Sequence, residues 1–143
     1  MINYKVILVA VDGSEVADKA FQKAVGLAKQ NEAKLIIGHV VDTSSFSLIE
    51  PYDSGIWERS QENAEALLKD YAKKAKDHGL ASVETSVKNG SPKRVIVKDI
   101  ASAYEVDLIV IGATGIGAAE RFLLGSVSES ITRYASCDVY VVR

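Results

Sequence analysis

The chain has 143 residues, of which 48% are hydrophobic and 25% charged, and its formal net charge at pH 7 is −2. These values predict one globular domain over residues 1–143, large enough to bury a substantial core. The small negative charge argues against a nucleic-acid or membrane partner held by bulk electrostatics. With a single cysteine, Cys137, and neither a signal-peptide pattern nor an apolar run of membrane-spanning length, the sequence predicts a cytoplasmic protein without an internal disulfide.

Three strands and two helices are predicted in the first 90 residues. The apolar, β-branched runs at 4–11 and 33–41 predict strands buried on both faces, whereas the more alternating run at 82–88 predicts an edge strand. Ser14 is a candidate N-cap for the first helix, which is predicted to continue to about Asn31. Its buried face is predicted to contain small apolar residues and one phenylalanine: Ala17, Ala20, Phe21, Ala24 and Ala28.

A long irregular connection precedes the second helix. The segment 42–56 keeps the period of neither a strand nor a helix, and a connection of this length in a compact domain predicts a cover for a site or a partner. The helical period returns at 57–78, and Gly79 is a suitable residue to end the helix. The inward face of this helix is predicted to be Ala64, Leu67, Leu68, Tyr71 and Ala75.

A third helix is predicted after a turn at Asn89-Gly90. Ser91 and Pro92 are predicted to supply its N-cap and its first residue, and it should end near Tyr104. Its buried positions are predicted to be Ile96, Ile100 and Ala103.

A strand, a glycine-rich loop and a fourth helix follow one another near the end of the chain. The apolar run at 106–111 predicts a buried strand, and a last strand is predicted at 138–142. Ser126 and Glu129 have the spacing of a capping box, which predicts a helix at about 127–134. The inward residues of this helix are predicted to be Val127, Ile131 and Ala135.

The alternation of strands and helices predicts an α/β fold: an open, doubly wound, five-stranded parallel sheet with helices on both faces. Ligands bind such sheets beyond the carboxyl ends of the strands, where the strand order reverses. The first strand ends at Asp12-Gly13-Ser14 and the fourth at 112–115, so these two strand ends are predicted to face one crevice. The helix start at Ser126 is predicted to close it.

The groups in this crevice suit a phosphate-containing ligand. Backbone N–H groups at a helix start, together with the hydroxyls of Thr114, Ser126 and Ser128, can donate to phosphate oxygens, although the glycines could equally serve only to shape the connection. Asp12 could accept from a ribose hydroxyl or a base amino group, or it could cap the first turn of the first helix. Arg121 could reach a phosphate or could simply be solvated.

Standard catalytic and nucleotide motifs do not match. There is no P-loop lysine motif, and Gly115-Ile116-Gly117 has Glu120 where a dinucleotide fingerprint needs its third glycine. His39 is predicted to be a packed or edge histidine rather than a base, and two distant histidines with one cysteine predict no metal cluster. No catalytic residue is assigned; any chemistry would be slow, metal-assisted phosphate hydrolysis.

The spacing Gly112-x2-Gly115-x9-Gly125-Ser126 is similar to the G-x2-G-x9-G-[ST] signature of ATP-binding universal stress proteins. The segments 6–14, 38–41 and 137–142 resemble that family's first, second and last strands, so the resemblance covers essentially the whole chain. It implies a Rossmann-like sheet of order 3-2-1-4-5, similar to that of adenine nucleotide alpha hydrolases.

The resemblance also implies ATP as the ligand, with Mg²⁺ bound through its phosphates. It places Ala10, Val11 and Asp12 around adenine and ribose and the backbone of Val40 against adenine. Gly112 and Gly115 would approach the ribose and phosphates, beside Gly117 and Thr114 of the same loop. Thr114 stands where the family often has His or Arg, which implies one phosphate contact fewer. The residues implied to hold the phosphates at the helix N-terminus are Gly125, Ser126, Val127 and Ser128.

The resemblance further implies a homodimer in which the strands at 138–142 pair edge to edge, and an exposed apolar edge strand is a liability unless it is paired. Three functions stay open at this point. The chain could be an ATP-dependent regulatory module in the stress response, a slow Mg²⁺-dependent ATP hydrolase or phosphotransferase, or a dimeric interaction module that binds another adenine-containing ligand.

Overall fold

The computed structural model describes residues 3–43, 54–114 and 124–143. Its five strands form one sheet in which every neighbouring pair is parallel, in the order β3-β2-β1-β4-β5. The predicted Rossmann-like α/β fold and its strand order are therefore confirmed. The strands are β1 (Val6–Ala10), β2 (Lys34–Asp42), β3 (Val83–Gly90), β4 (Leu108–Gly112) and β5 (Asp138–Val142).

Helices cover both faces of the sheet, because right-handed crossovers that run in opposite directions from β1 place their helices on opposite faces. The helices are α1 (Glu15–Asn31), α2 (Ser54–Asp77), α3 (Pro92–Val95), which continues as a π-helical segment (Ile96–Ala101), and α4 (Ser126–Tyr134). Alternate residues of each central strand enter opposite layers of the core: Ile7 and Val9 of β1 pack under α1 and α2, whereas Leu8 packs with Ile100 and Ile131 on the other face. Within the described ranges, no helix is long and apolar enough to cross a bilayer.

The start and the buried face of α1 follow the sequence pattern. Ser14 has extended backbone angles and its hydroxyl oxygen accepts a hydrogen bond from the Ala17 N–H at 3.1 Å, which confirms it as the N-cap. All five predicted inward residues are buried, as is Val25. The helix therefore rests on the sheet through a narrow stripe of small side chains.

The third helix departs from the predicted packing. Ala103 was predicted to be buried but is exposed, and Ala101 is buried in its place. The cause is the π-helical turn, in which the wider spacing places residues five apart, Ile96 and Ala101, on the same face. The spacing of three and four residues therefore no longer predicts which residues are buried after Ile100.

The turn predicted at Asn89-Gly90 is wrong. β3 continues through Asn89 and Gly90 instead of turning there, because Gly90 adopts a φ of +137° and remains paired with Asp42 of β2. Ser91 precedes the third helix as predicted, but its side chain makes no capping hydrogen bond.

The second helix begins and ends earlier than its predicted range of 57–78. It runs from Ser54 to Asp77, so His78 lies just beyond its last turn. Four of its five predicted inward residues are buried, and Leu67 is partly buried. The part of the predicted connection at 44–53 lies outside the described residues.

The predicted capping box at the start of α4 is wrong as well. The N-cap is Gly125, with φ −62° and ψ 159°, so the helix begins one residue earlier and Ser126 occupies its first turn. From that position the Ser126 hydroxyl cannot serve as an N-cap, and the Glu129 carboxylate pairs instead with Arg133 at 2.9 Å. Of the predicted inward residues, Ile131 is fully buried, and Val127 and Ala135 are partly buried.

Candidate functional site

A cleft of about 860 Å³ opens where β1 and β4 end, the point at which the strand order reverses. All the predicted site residues that the structure describes line this cleft, whereas Gly115 and Gly117, together with Arg121, lie outside the described residues. Sequence positions more than 110 residues apart are thus brought to one place. The predicted residues that line the cleft are Ala10, Val11, Asp12, Val40, Gly112, Thr114, Gly125, Ser126, Val127 and Ser128.

The cleft has a further wall that the sequence did not predict. Ser60 and Asn63 of α2 line it, next to Ala64 and Leu67 on the same helical face. That face is apolar further along the helix, where it covers the sheet, and becomes polar where the sheet ends. The change from apolar to polar along one helical face was the available signal. Pro92 and Ile96 of the third helix line the cleft on the other face of the sheet.

The N-terminus of α4 presents backbone donors to the cleft. The first bond within this helix runs from the Glu129 N–H to the Gly125 carbonyl at 2.9 Å, so the N–H groups of Ser126, Val127 and Ser128 precede the helical ladder. The N-cap is Gly125, which has no side chain to accept from them. Free N–H groups and the positive end of the helix dipole together favour an anion here.

The Ser128 hydroxyl has a different partner from the one predicted. It donates to the carbonyl oxygen of Gly112, and the residue is only 3% exposed. The hydroxyl therefore ties α4 to the end of β4, which fixes the position of the helix N-terminus. It is the backbone N–H of Ser128, rather than its hydroxyl, that belongs to the anion-binding group.

Gly112 and Gly125 differ in what their backbones require. A Cβ atom built on Gly112 would lie 2.6 Å from Cγ1 of Val16, so a glycine lets α1 approach β4 closely. Gly125 has backbone angles that any L-residue can adopt. Its N–H donates to the Ala113 carbonyl at 2.7 Å, which holds the start of α4 against the end of β4.

Asp12 caps the turn that leads from β1 into α1. A capping role was one of the two predicted for it, and contact with a ligand was the other. Its Oδ1 accepts from the Ser14 N–H at 3.0 Å, so the carboxylate is held at the mouth of the cleft. An ionised carboxylate has two acceptor oxygens, and this bond uses one of them. The alternatives are thus compatible: the residue can cap the turn and also accept from a ligand hydroxyl.

The backbone of Val40 is directed toward the cleft. The bonds from Lys34 N–H to Lys5 O and from Val11 N–H to Gly38 O show that the even-numbered residues of β2 direct their N–H and C=O groups toward β1. β1 ends before it reaches Val40, so this N–H and C=O face the cleft as a donor and an acceptor side by side.

The ionisable side chains that line the cleft within the described ranges are Asp12, His39 and Asp42. Nδ1 of His39 lies 2.7 Å from the Val11 carbonyl oxygen, which confirms the predicted packed histidine. Among the described residues, no three His, Cys, Asp or Glu side chains are grouped closely enough to hold a metal ion. The described part of the lining thus offers backbone donors and acceptors and three ionisable side chains.

Comparison with known proteins gives a consistent result along the whole chain. The family model described as universal stress protein family matches residues 3–143. A Staphylococcus aureus (strain USA300) protein named as a universal stress protein is 51% identical over 143 residues, which cover all of this chain and 86% of the relative.

Solved structures share the fold over nearly their full length. The universal stress protein UspA from Lactobacillus plantarum is 32% identical, with a TM-score of 0.89 and complete coverage of both chains. A universal stress protein solved in complex with cAMP is 27% identical, with a TM-score of 0.72 and coverage of 99% of this chain and 98% of the other. The matching family model and the similarity to the Staphylococcus aureus relative show that the chain belongs to the universal stress protein family.

Proposed function

We propose that the protein binds ATP in this cleft and acts as a nucleotide-dependent regulatory module in the stress response. The observation that carries the proposal is that two sets of backbone groups meet in one cleft. They are the N–H and C=O of Val40, and the N–H groups at the start of α4, where the N-cap is a glycine. The family relative that binds cAMP supports an adenine nucleotide as the ligand class.

Each part of ATP has a matching group. The adjacent N–H and C=O of Val40 complement the edge of adenine, which offers a ring nitrogen acceptor beside an amino donor. Ala10 and Val11 would flank the base and ribose, and Asp12 would accept from a ribose hydroxyl. The triphosphate would lie at the α4 N-terminus near Thr114, with Mg²⁺ held through the phosphate oxygens. Gly115 and Gly117 complete the proposed contact set.

Binding fits the described cleft better than turnover does. Rapid phosphoryl transfer needs cationic groups on the transferred phosphate and a group that orients the attacking oxygen. The ionisable side chains of the described lining are two aspartates and one histidine, and both Asp12 and His39 are already engaged with the backbone. We therefore place a slow Mg²⁺-dependent hydrolase second.

We also propose a cytoplasmic homodimer that pairs through β5. This strand is at one edge of the sheet and bonds to β4 on its inner side. Val139 and Val141 direct their N–H and C=O groups away from β4, since the Val142 carbonyl accepts from Ala113 on the inner side. An edge of this kind is a template for pairing with the same strand of a second copy.

ATP binding is tested first on the protein as purified, by denaturing it and identifying any nucleotide that is released. Titration calorimetry with ATP and Mg²⁺ on stripped protein follows. Gly125→Trp should lower ATP affinity at least about tenfold, because the new side chain stands at the α4 N-terminus while the backbone angles tolerate it.

The matched control is Gly26→Trp, at an exposed glycine of α1 where a Cβ meets nothing within 4 Å. It should bind ATP like the wild type. Absence of both released nucleotide and a heat of binding would overturn the proposal.

A further inference from the structure

The backbone hydrogen bonds between β1 and β2 end at Val11, where a side chain contacts the Val11 carbonyl. Their last backbone bond runs from the Val11 N–H to the Gly38 carbonyl at 2.9 Å. If the parallel register continued, the next bond would run from the Val40 N–H to the Val11 carbonyl. The structure places the His39 ring at that carbonyl instead, with Nδ1 2.7 Å from the oxygen.

We propose that His39 is a positioning residue that ends the β1–β2 ladder and keeps the backbone of Val40 directed into the cleft for the base. A carbonyl oxygen only accepts, so Nδ1 carries the hydrogen and donates it. His39 therefore occupies the Val11 carbonyl, which would otherwise accept the hydrogen bond from the Val40 N–H in the parallel register. The identity of the base rests on the proposed function, but the backbone arrangement does not.

The physical reason is the need of the Val11 carbonyl for a donor. Val11 is only 4% exposed, and a buried carbonyl without a partner is costly. When the histidine donates, the Val40 N–H remains directed toward the cleft. When that donor is removed, the nearest replacement in register is the Val40 N–H itself. The ladder would then gain one bond, and the cleft would lose its donor for the base.

Two substitutions at position 39 separate the donor from the bulk of the side chain. Asparagine carries an N–H nitrogen as many bonds from the backbone as Nδ1 of histidine, so His39→Asn preserves the donation. Leucine branches at the same carbon and has no donor, so His39→Leu removes it at similar size. If the leucine variant does not fold, His39→Ala removes the same donor with a smaller side chain.

The backbone part is tested without any ligand, by amide hydrogen exchange measured by NMR on the full chain. The Val40 amide should exchange rapidly in the wild type and in His39→Asn. It should exchange at least about tenfold more slowly in His39→Leu, as the new ladder bond forms. Equal Val40 exchange in His39→Leu and the wild type would overturn the proposal, as would an amide already protected in the wild type.

The binding part compares ATP with inorganic tripolyphosphate, both with Mg²⁺, by calorimetry. His39→Leu should weaken ATP about tenfold and leave tripolyphosphate unchanged, whereas His39→Asn should bind ATP within about threefold of the wild type. If His39 only stabilised the fold, His39→Leu would lower the affinity for both ligands alike, and that outcome would contradict the proposal. If the wild type binds no ATP, the proposed function and the role toward the base both fall, while the exchange experiment still decides the backbone role.

Discussion

Gly112 belongs to the expected binding motif, but the structure shows that close packing also requires a glycine at this position. The family signature assigns this glycine to the approach of ribose and phosphate, yet its missing Cβ faces Val16 of α1, and the main-chain carbonyl carbon of Val16 is 3.3 Å from the Cβ position. Close contact between helix and strand is therefore sufficient to require glycine. An added methyl group should therefore change the stability of the protein in opposite directions at two glycines, Gly112 and Gly26.

Gly112→Ala should lower the free energy of unfolding by about 1–3 kcal/mol, because the new methyl group overlaps Val16. Gly26→Ala should raise it by about 0.5–1 kcal/mol, since an exposed helix position with open space gains from the reduced freedom of alanine. Urea denaturation measures both.

Adding Val16→Ala to Gly112→Ala should recover part of the lost stability. A Gly112→Ala variant as stable as the wild type would show that α1 can move away from β4 at no cost.

At the scale of elements, α1 and α2 are joined across the sheet face by one aromatic residue. Tyr71 of α2 is 3% exposed, its ring centroid is 4.8 Å from that of Phe21, and its hydroxyl donates to the Asp18 carboxylate. Burial, together with this hydrogen bond to an anion, raises the pKa of Tyr71 above its usual value near 10. Ionisation of the phenol therefore opposes the packing of the two helices.

The free energy of unfolding should accordingly fall as the pH rises above about 10, because the unfolded state releases the Tyr71 proton more readily than the folded state. Tyr71→Phe should remove part of this fall, as measured by urea denaturation between pH 8 and pH 11. Tyr134→Phe, which removes a hydroxyl from an exposed residue, is the matched control. Identical pH dependence in Tyr71→Phe and the wild type would contradict this account.

Strands and helices were predictable where local pattern and packing agree. The apolar runs of β1, β2 and β4 and the alanine stripe of α1 determine their elements from nearby residues alone. The π-helical turn was not predictable, because the apolar residues at 96, 100 and 103 keep the three- and four-residue spacing of an ordinary α-helix.

Within the site, the glycine spacing and strand ends located the cleft. The contact of the His39 ring with the Val11 carbonyl joins two strand ends, and no local pattern carries it. The wall from α2 had one local signal, the change from apolar to polar along its helical face, but that pattern does not say which cavity the face lines. Ser128 illustrates the same limit: its spacing identifies a helix start, whereas the acceptor of its hydroxyl is a carbonyl 16 residues away.

For the whole molecule, the relevant feature is β5, the strand at one edge of the sheet through which we propose that two copies pair. Tyr140 of β5 is 41% exposed, and the outward N–H groups of this strand belong to Val139 and Val141. Proline at an outward position removes a donor for a second copy and leaves the inward bonds to β4 in place. One substitution can therefore test the proposed dimer without disturbing the fold.

Val141→Pro should convert the proposed dimer into a monomer, as measured by light scattering on the full chain. Val141→Thr, which keeps the N–H and the branched side chain, should remain a dimer. A Val141→Pro dimer with unchanged mass would mean that another surface joins the two copies. Circular dichroism of both variants verifies that the sheet is retained.

The central position of β1 has a consequence for synthesis. β1 precedes the other four strands of the sheet in the sequence, so it leaves the ribosome before them, and β2 can pair with it once α1 and β2 have followed. Its other neighbour, β4, begins about 100 residues later, at Leu108, so half of the sheet can form while the opposite edge of β1 is still uncovered. The cleft lies between the ends of these two strands and needs the start of α4 as well. It is therefore completed only after the start of α4 has been synthesised, and the proposed nucleotide would select chains whose synthesis has passed that point.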